Sequence, residues 1–387
     1  MSKADNAVPL SDKIEGAPHP AQTPRIFGQD AAAKEFLDVF NASRLHHGWL
    51  ISGPRGVGKA TFAWQITKFL LATPNSNRDG GLFEDNHESP HTLEIASDHP
   101  VSRRIAAGSE PSVFPLRRAY DEKRKRHKQI ITVDDVRKLK SFFGLTSTDS
   151  AHRIVVIDCA EDMSPSAANA LLKILEEPPK NAFLFLVSHQ PASLLPTIRS
   201  RCRELRLNRL DKPSMGQALE AANVHFDTSH QEGLTKLSAG SIGDAVRILN
   251  IQGLTLYKSI IDIFGSLPRL DSKKVQALAN KFSGRGTSSE FELFISLFET
   301  ALSRLALSGA KDKHFDYIES FPEFEVFKRL SSNHLAAKKW AELTQTVSQR
   351  LRHGHSVNLD PATLILDTFF KIETCAVSVL QRPKALK

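Results

Sequence analysis

The chain has 387 residues, too many for one ordinary domain, and is 41% hydrophobic and 24% charged, as expected of a globular protein. Its 51 lysines and arginines exceed 43 acidic residues, and the resulting +8 permits contact with nucleic acid or an acidic partner without demanding it. Cys159, Cys202 and Cys375 are too few and too scattered for a disulfide framework, so a cytoplasmic location is expected, and no apolar run approaches the roughly 20 residues that span a bilayer.

Residues 1–22 are rich in alanine, proline and polar types and read as a flexible leader. After Gln29-Asp30, a natural cap, Ala33, Phe36, Leu37 and Phe40 recur at helical spacing. Trp49-Leu50-Ile51 then predicts a strand running into GPRGVGK, behind which Phe62, Ala63, Ile66, Phe69 and Leu70 form one helix face. Strand, glycine loop and helix in that order make a credible phosphate site. Backbone N–H groups at the helix start and the helix dipole favour an anion. Gly53, Gly56 and Gly58 let the backbone approach it, and Lys59 adds charge between the outer phosphates.

Residues 73–128 read as irregular around a strand near Leu93-Glu94-Ile95. RRAYDEKRKRHK, residues 117–128, holds seven lysines and arginines but little aromatic platform, and reads as a solvated loop. A helix over 132–144 follows, with Thr132 as its cap and Phe142-Phe143 on its packing face. Arg153–Ile157 is a buried strand that delivers Asp158, where such sites place a magnesium-shell acid. Ser164-Pro165 opens a helix that stops at Glu176-Glu177-Pro178-Pro179, because proline cannot continue it. Phe183–Val187 and Cys202–Leu207 complete the strands, and everything after 208 reads as helices, with Asp360 capping one that starts at Pro361.

Two groups needed for hydrolysis are missing. Ala60 replaces the hydroxyl that would hold magnesium, and Thr61 cannot substitute because one residue is about 100° of helix rotation. Cys159 stands where a glutamate would polarise the attacking water, and Glu161 needs a different backbone path. The pattern therefore argues for a degenerate ATPase that can hold ATP or ADP at most, with no intrinsic catalysis and no metal.

RLHHGWLISGPRGVGKAT, VVIDCAEDMSPSAANALLKILEEPP and IRSRC resemble the bacterial clamp-loader subunits of DNA polymerase III, in the AAA+ superfamily, and more narrowly the delta-prime type. The resemblance runs from about Ile26 to Leu207. It implies an α/β P-loop AAA+ domain with a parallel sheet over 23–207, a helical lid over 208–250 and an all-α collar over 251–387. The implied partners are the other loader subunits, tau/gamma and delta, in a hetero-pentamer, with the sliding clamp and primed DNA reached through the complex. Polymerase or nucleotidyltransferase activity would belong to that holoenzyme. In that family the arginine of Ser200-Arg201-Cys202 is an arginine finger reaching a neighbour's ATP site. A surface ion pair in the arginine-rich stretch is the other reading of Arg201.

The family's lid arginine has Gly243 in its place here, a third missing ATPase part. That favours a non-hydrolysing ring member over the alternative, an active motor ATPase of the tau/gamma type. With no cysteine before 159, the zinc module of many relatives is absent. His87, His91 and His99 are too loosely spaced to replace it and read as solvated loop residues.

Overall fold

The computed structural model describes residues 9–73, 89–144, 152–284, 288–311 and 315–380. The chain divides into two compact units, Met1–His225 with Gly240–Val246, and Phe226–Ala239 with Arg247–Lys387. The expected lid, 208–250, is thus divided between them.

The strands are β1 (Gly48–Ser52), β2 (Val113–Arg117), β3 (Tyr120–Asp121), β4 (Arg126–His127), β5 (Arg153–Asp158), β6 (Ala182–Ser188) and β7 (Arg203–Arg206). Five of them form a parallel sheet in the order β2-β5-β6-β1-β7, while β3 and β4 make a small antiparallel hairpin. The helices of this unit begin with α1 (Asp30–Asn41), α2 (Lys59–Ala72), α3 (Pro100–Ala106), α4 (Val133–Gly144), α5 (Pro165–Glu176), α6 (Pro196–Arg199) and α7 (Lys212–Ala221).

Both faces of the sheet are covered, which is why its central strands read as continuous apolar runs rather than alternating ones. On one face Leu50, Val155, Ile157, Leu184 and Leu186 meet Val136, Leu139 and Phe142 of α4 and Leu171 and Leu175 of α5. On the other, Trp49 lies 5.1 Å from Phe36, which reaches Phe69 of α2 at 6.5 Å. Each such fully buried large side chain contributes roughly 1.5–3 kcal/mol, so truncating Phe69 would cost about 3–5 kcal/mol.

Several local expectations change. The segment at Leu93-Glu94-Ile95 is not a strand; Leu93 is buried and its carbonyl accepts from Gln65 Nε2 at 2.8 Å. The strand lies instead at β2, whose Pro115 is tolerated because β2 is an edge. Thr132 stands at the start of α4, but with its backbone: its carbonyl accepts from the Asp135 and Val136 N–H groups, while its hydroxyl donates to Asp135 Oδ2 at 2.7 Å. The basic stretch is partly engaged, since Arg117 pairs with Asp12 and Arg118 with Asp162. His99 is not a solvated loop residue but caps α3, its ring accepting from the Val101 N–H. His91 is exposed, and His87 lies outside the described residues.

The described part of the leader, residues 9–22, is not free. Asp12, with its side chain 4% exposed, accepts from Arg117 Nη1 at 2.8 Å and lies 3.0 Å from His19 Nε2. Buried charge needs such partners, and they tie this segment to β2 as a strap.

The second unit is helical: α8 (Gln231–Leu237), the end of α9 (Ile242–Asn250), α10 (Gly253–Ser266), α11 (Ser272–Asn280), α12 (Ser288–Lys311), α13 (Glu323–Leu330), α14 (His334–Ser356) and α15 (Pro361–Leu380). Asp360 caps α15 as expected, accepting from the Thr363 N–H at 2.9 Å. Glu290–Lys311 is long and apolar enough by length and composition to cross a membrane. Yet Phe291, Phe294, Phe298, Leu302 and Leu305 along it are buried, Phe298 against Phe264 and Phe369, as in a core helix.

Candidate functional site

The glycine loop leaves the carboxyl end of β1 and winds into α2. Gly53 has φ +142° and a Cβ there would meet the Leu207 carbonyl oxygen at 2.4 Å, so only glycine fits. Lys59, 5% exposed, donates to the carbonyls of Gly53 at 2.9 Å and Pro54 at 2.5 Å. Burial holds its pKa below the usual lysine value, with Cys159, Asp158 and Glu161 opposing.

Gly56 is covered from outside the loop. Its carbonyl accepts from Gly243 N–H at 3.0 Å, and a Cβ on it would meet Ser241 Oγ at 2.2 Å. A Cβ on Gly243 would in turn stand 2.9 Å from Ile14 Cδ1 and 3.1 Å from Gly56 Cα. The sequence reads Gly243 as a lost arginine; the structure adds that two glycines meet back to back here, with the strap against them. At Gly56 the loop is therefore packed against Ser241 and Gly243, and Ala60 offers no oxygen to a magnesium ion.

β5 delivers Asp158 as the sequence predicts. Burial pushes its carboxyl up to about 6, opposed by the Cys159 thiol, which donates to Oδ1 at 3.2 Å. Burial, then the Asp158 carboxylate, push the Cys159 thiol well above its ordinary value, so it is no base. Glu161 does not replace the absent acid. Its Oε1 accepts from the backbone N–H of His189 at 2.9 Å and of Gln190 at 3.2 Å, and lies 2.8 Å from His189 Nδ1. Sequence reasoning missed this partnership, although the pairing of Asp158 with Val187 across β5 and β6 brings the next residues of both strands together.

Arg201 is at the other end of the sheet. A Cβ on Gly48, the first residue of β1, would stand 3.1 Å from the Arg201 carbonyl, whereas the loop begins after Ser52. At roughly 3.3 Å per residue the two ends are about 15 Å apart. Arg201 therefore does not join Gly53, Gly56, Gly58, Lys59 and Asp158. It reaches Glu176 Oε1 with Nη2 at 2.8 Å and the Thr197 carbonyl with Nη1 at 3.1 Å, both partly exposed. Ser200 donates to the Thr197 carbonyl at the end of α6. Cys202 packs against the sheet core, where burial pushes its thiol up to about 12.

Residues 28–211 match the family model described as DNA polymerase III, delta subunit. The chain is 29% identical to DNA polymerase III subunit delta' of Pseudomonas aeruginosa over 231 residues, 60% of this chain and 63% of that one. It is 27% identical to DNA polymerase III subunit gamma of Buchnera aphidicola over 289 residues, covering 69% and 73%. With DNA polymerase III subunit tau of Escherichia coli it shares 24% over 303 residues, covering 73% and 43%. The match thus spans less than two thirds of the Pseudomonas relative and less than half of the Escherichia one. Among solved structures, a gamma subunit-related protein of Thermotoga maritima aligns over 89% of this chain and all of its own, with TM-score 0.41 and 17% identity. Over residues 28–211, a little under half of its length, the chain is thus similar to subunits of DNA polymerase III, and that stretch holds the glycine loop, the acidic strand end and the five-stranded parallel sheet.

Proposed function

We propose that the chain is a non-hydrolysing member of the clamp-loader ring, of the delta-prime type, which helps load the sliding clamp onto primed DNA. Its loop is a cradle without the means to cleave. The observation that carries this reading is the coincidence at one site of Ala60, of Cys159 hydrogen-bonded to Asp158, and of Gly243 packed on Gly56. Bound nucleotide, ATP or ADP, would be held without turnover.

Arg201 acts in trans. Its place at the amino ends of the strands, far from its own loop, supports service to a neighbouring subunit's ATP site. There a guanidinium stabilises charge developing on the γ-phosphate and contributes several powers of ten in rate. The working division is an AAA+ domain over 23–207, a lid over 208–250 and a collar over 251–387 that joins tau/gamma and delta subunits in a pentamer. The proposed location is the cytoplasm.

The test is reconstitution with candidate loader subunits. Native mass spectrometry is expected to find this chain once per pentamer, and the isolated chain to turn over no ATP with or without DNA. Arg201→Ala is expected to leave assembly intact while lowering loader ATPase at least tenfold. Turnover by the isolated chain would favour the motor reading, and unchanged loader turnover would remove the finger.

A further inference from the structure

The carboxyl ends of β5 and β6 carry a thiol, an imidazole and a carboxylate that the phosphate site does not use. Asp158 pairs with Val187 in register, so Cys159 and His189 emerge just beyond the carboxyl ends of two adjacent interior strands. The short turn after β5 returns Glu161 to the same place. Cys159 Sγ lies 3.7 Å from His189 Nδ1, Nδ1 lies 2.8 Å from Glu161 Oε1, and one donor atom from each residue falls within 4.8 Å of the others.

We propose that Cys159, Glu161 and His189 bind one zinc-class divalent cation. Zinc–sulfur and zinc–nitrogen bonds of about 2.3 and 2.05 Å at a tetrahedral angle put sulfur and nitrogen about 3.6 Å apart. The observed 3.7 Å is already that spacing. The carboxylate supplies the independent observation. The Glu161 side chain is 9% exposed and its Oε2 has no hydrogen-bond partner, which for a buried carboxylate oxygen is costly. Its Oε1 is meanwhile fixed by the N–H groups of His189 and Gln190. One oxygen is anchored and the other is free, the arrangement in which outer hydrogen bonds orient a metal-binding carboxylate.

The donor set chooses the metal. Thiolate with imidazole suits zinc and excludes magnesium, which wants hard oxygen ligands. Asp158 Oδ1, 3.2 Å from Sγ, is an oxygen within reach of a fourth position. Binding deprotonates Cys159, releases that proton to solvent and leaves His189 neutral, while the cation offsets the charge of Asp158, Glu161 and the new thiolate. No cysteine quartet is involved, which is why the sequence alone points to no zinc. The inference is independent of the clamp-loader reading.

The full chain, stripped with a chelator, is titrated with Zn²⁺ against a chromophoric competitor and separately with Co²⁺. The expected result is one zinc equivalent per chain and a thiolate-to-cobalt charge-transfer band in the near ultraviolet. Cys159→Ser should abolish the band, His189→Asn and Glu161→Gln should weaken zinc binding at least tenfold, and Cys375→Ser should change neither. Circular dichroism establishes that each variant is folded, and the zinc stoichiometry of the unmodified chain is decisive without any variant. Zinc bound at less than a tenth of an equivalent by the unmodified chain overturns the proposal, as does a cobalt band that survives in folded Cys159→Ser.

Discussion

Arg201 Nη2 and Glu176 Oε1, 2.8 Å apart, tie the residue beyond α6 to the last residue of α5. Both side chains are more than a third exposed, and pairs in such surroundings contribute about 0–1 kcal/mol. The pair thus aims the guanidinium more than it stabilises the fold. Arg201→Ala and Glu176→Gln are each expected to change the unfolding free energy by less than about 1 kcal/mol, measured by denaturant titration. A loss of about 3 kcal/mol in Arg201→Ala would mark it as a structural residue, and any loss of loader activity could then be misfolding.

The contact between Gly56 and Gly243 gives a second prediction. Gly56 has φ +74°, and a Cβ there meets Ser241 Oγ at 2.2 Å and the Gly243 nitrogen at 3.1 Å. Gly56→Ala is expected to destabilise the protein by roughly 1–3 kcal/mol, through both the backbone conformation and the collision. Adding Ser241→Gly should recover only part of this, because the positive φ remains. Full recovery in the double variant would show that the collision alone mattered.

These contacts mark what the sequence could and could not convey. The glycine loop, the Asp158 strand and the stop at Pro178-Pro179 were legible because each is local chemistry written in consecutive residues. The strap was not, because Asp12 and Arg117 are 105 positions apart and neither neighbourhood announces the other. β2 was missed because its Pro115 argues against a strand unless the strand is known to be an edge. Glu161 and His189 were missed because their meeting depends on the β5–β6 register. A surface ion pair was one of two readings of Arg201, and the structure supplies Glu176 as the partner, which lies 25 positions away at the end of α5.

The strap makes its own prediction. Burial pushes the Asp12 carboxyl up, but hydrogen bonding to His19 and the charge of Arg117 outweigh this and hold it below the usual carboxylate value. A depressed carboxylate contributes stability that is complete above its unfolded pKa and is lost as the pH falls through its folded one. The stability difference between the unmodified chain and Asp12→Asn should therefore be full at pH 6 and vanish in stronger acid. Removing one partner of a buried pair costs about 3–5 kcal/mol, an upper figure here because Arg117 is partly exposed. At neutral pH the variant should also be cut faster by trypsin after Lys13, which lies in the strap. Equal cleavage of the two proteins would show that the Asp12 cluster does not hold the segment.

Lys68 also has a lowered pKa, but here the buried charge is a cost rather than a gain. It is 4% exposed on α2, donates to the Thr23 carbonyl at 2.9 Å, and burial lowers its pKa to about 8. The unfolded lysine titrates near 10.4, so between about pH 8 and 10.4 the unfolded chain binds more protons and stability rises with pH. Below pH 8 the whole cost of burying the charge is present, on the order of 3 kcal/mol by linkage. Lys68→Met keeps the length of the side chain and removes the charge, at the loss of one hydrogen bond that contributes about 1.5–3 kcal/mol. The two terms nearly cancel near neutrality, so the absolute change is not diagnostic, but its slope is. The stability of Lys68→Met relative to the unmodified chain should be greatest at pH 7 and fall by about 2–3 kcal/mol toward pH 10, as the native amine loses its proton. A difference that stays flat across that range would mean that Lys68 remains charged where it is buried.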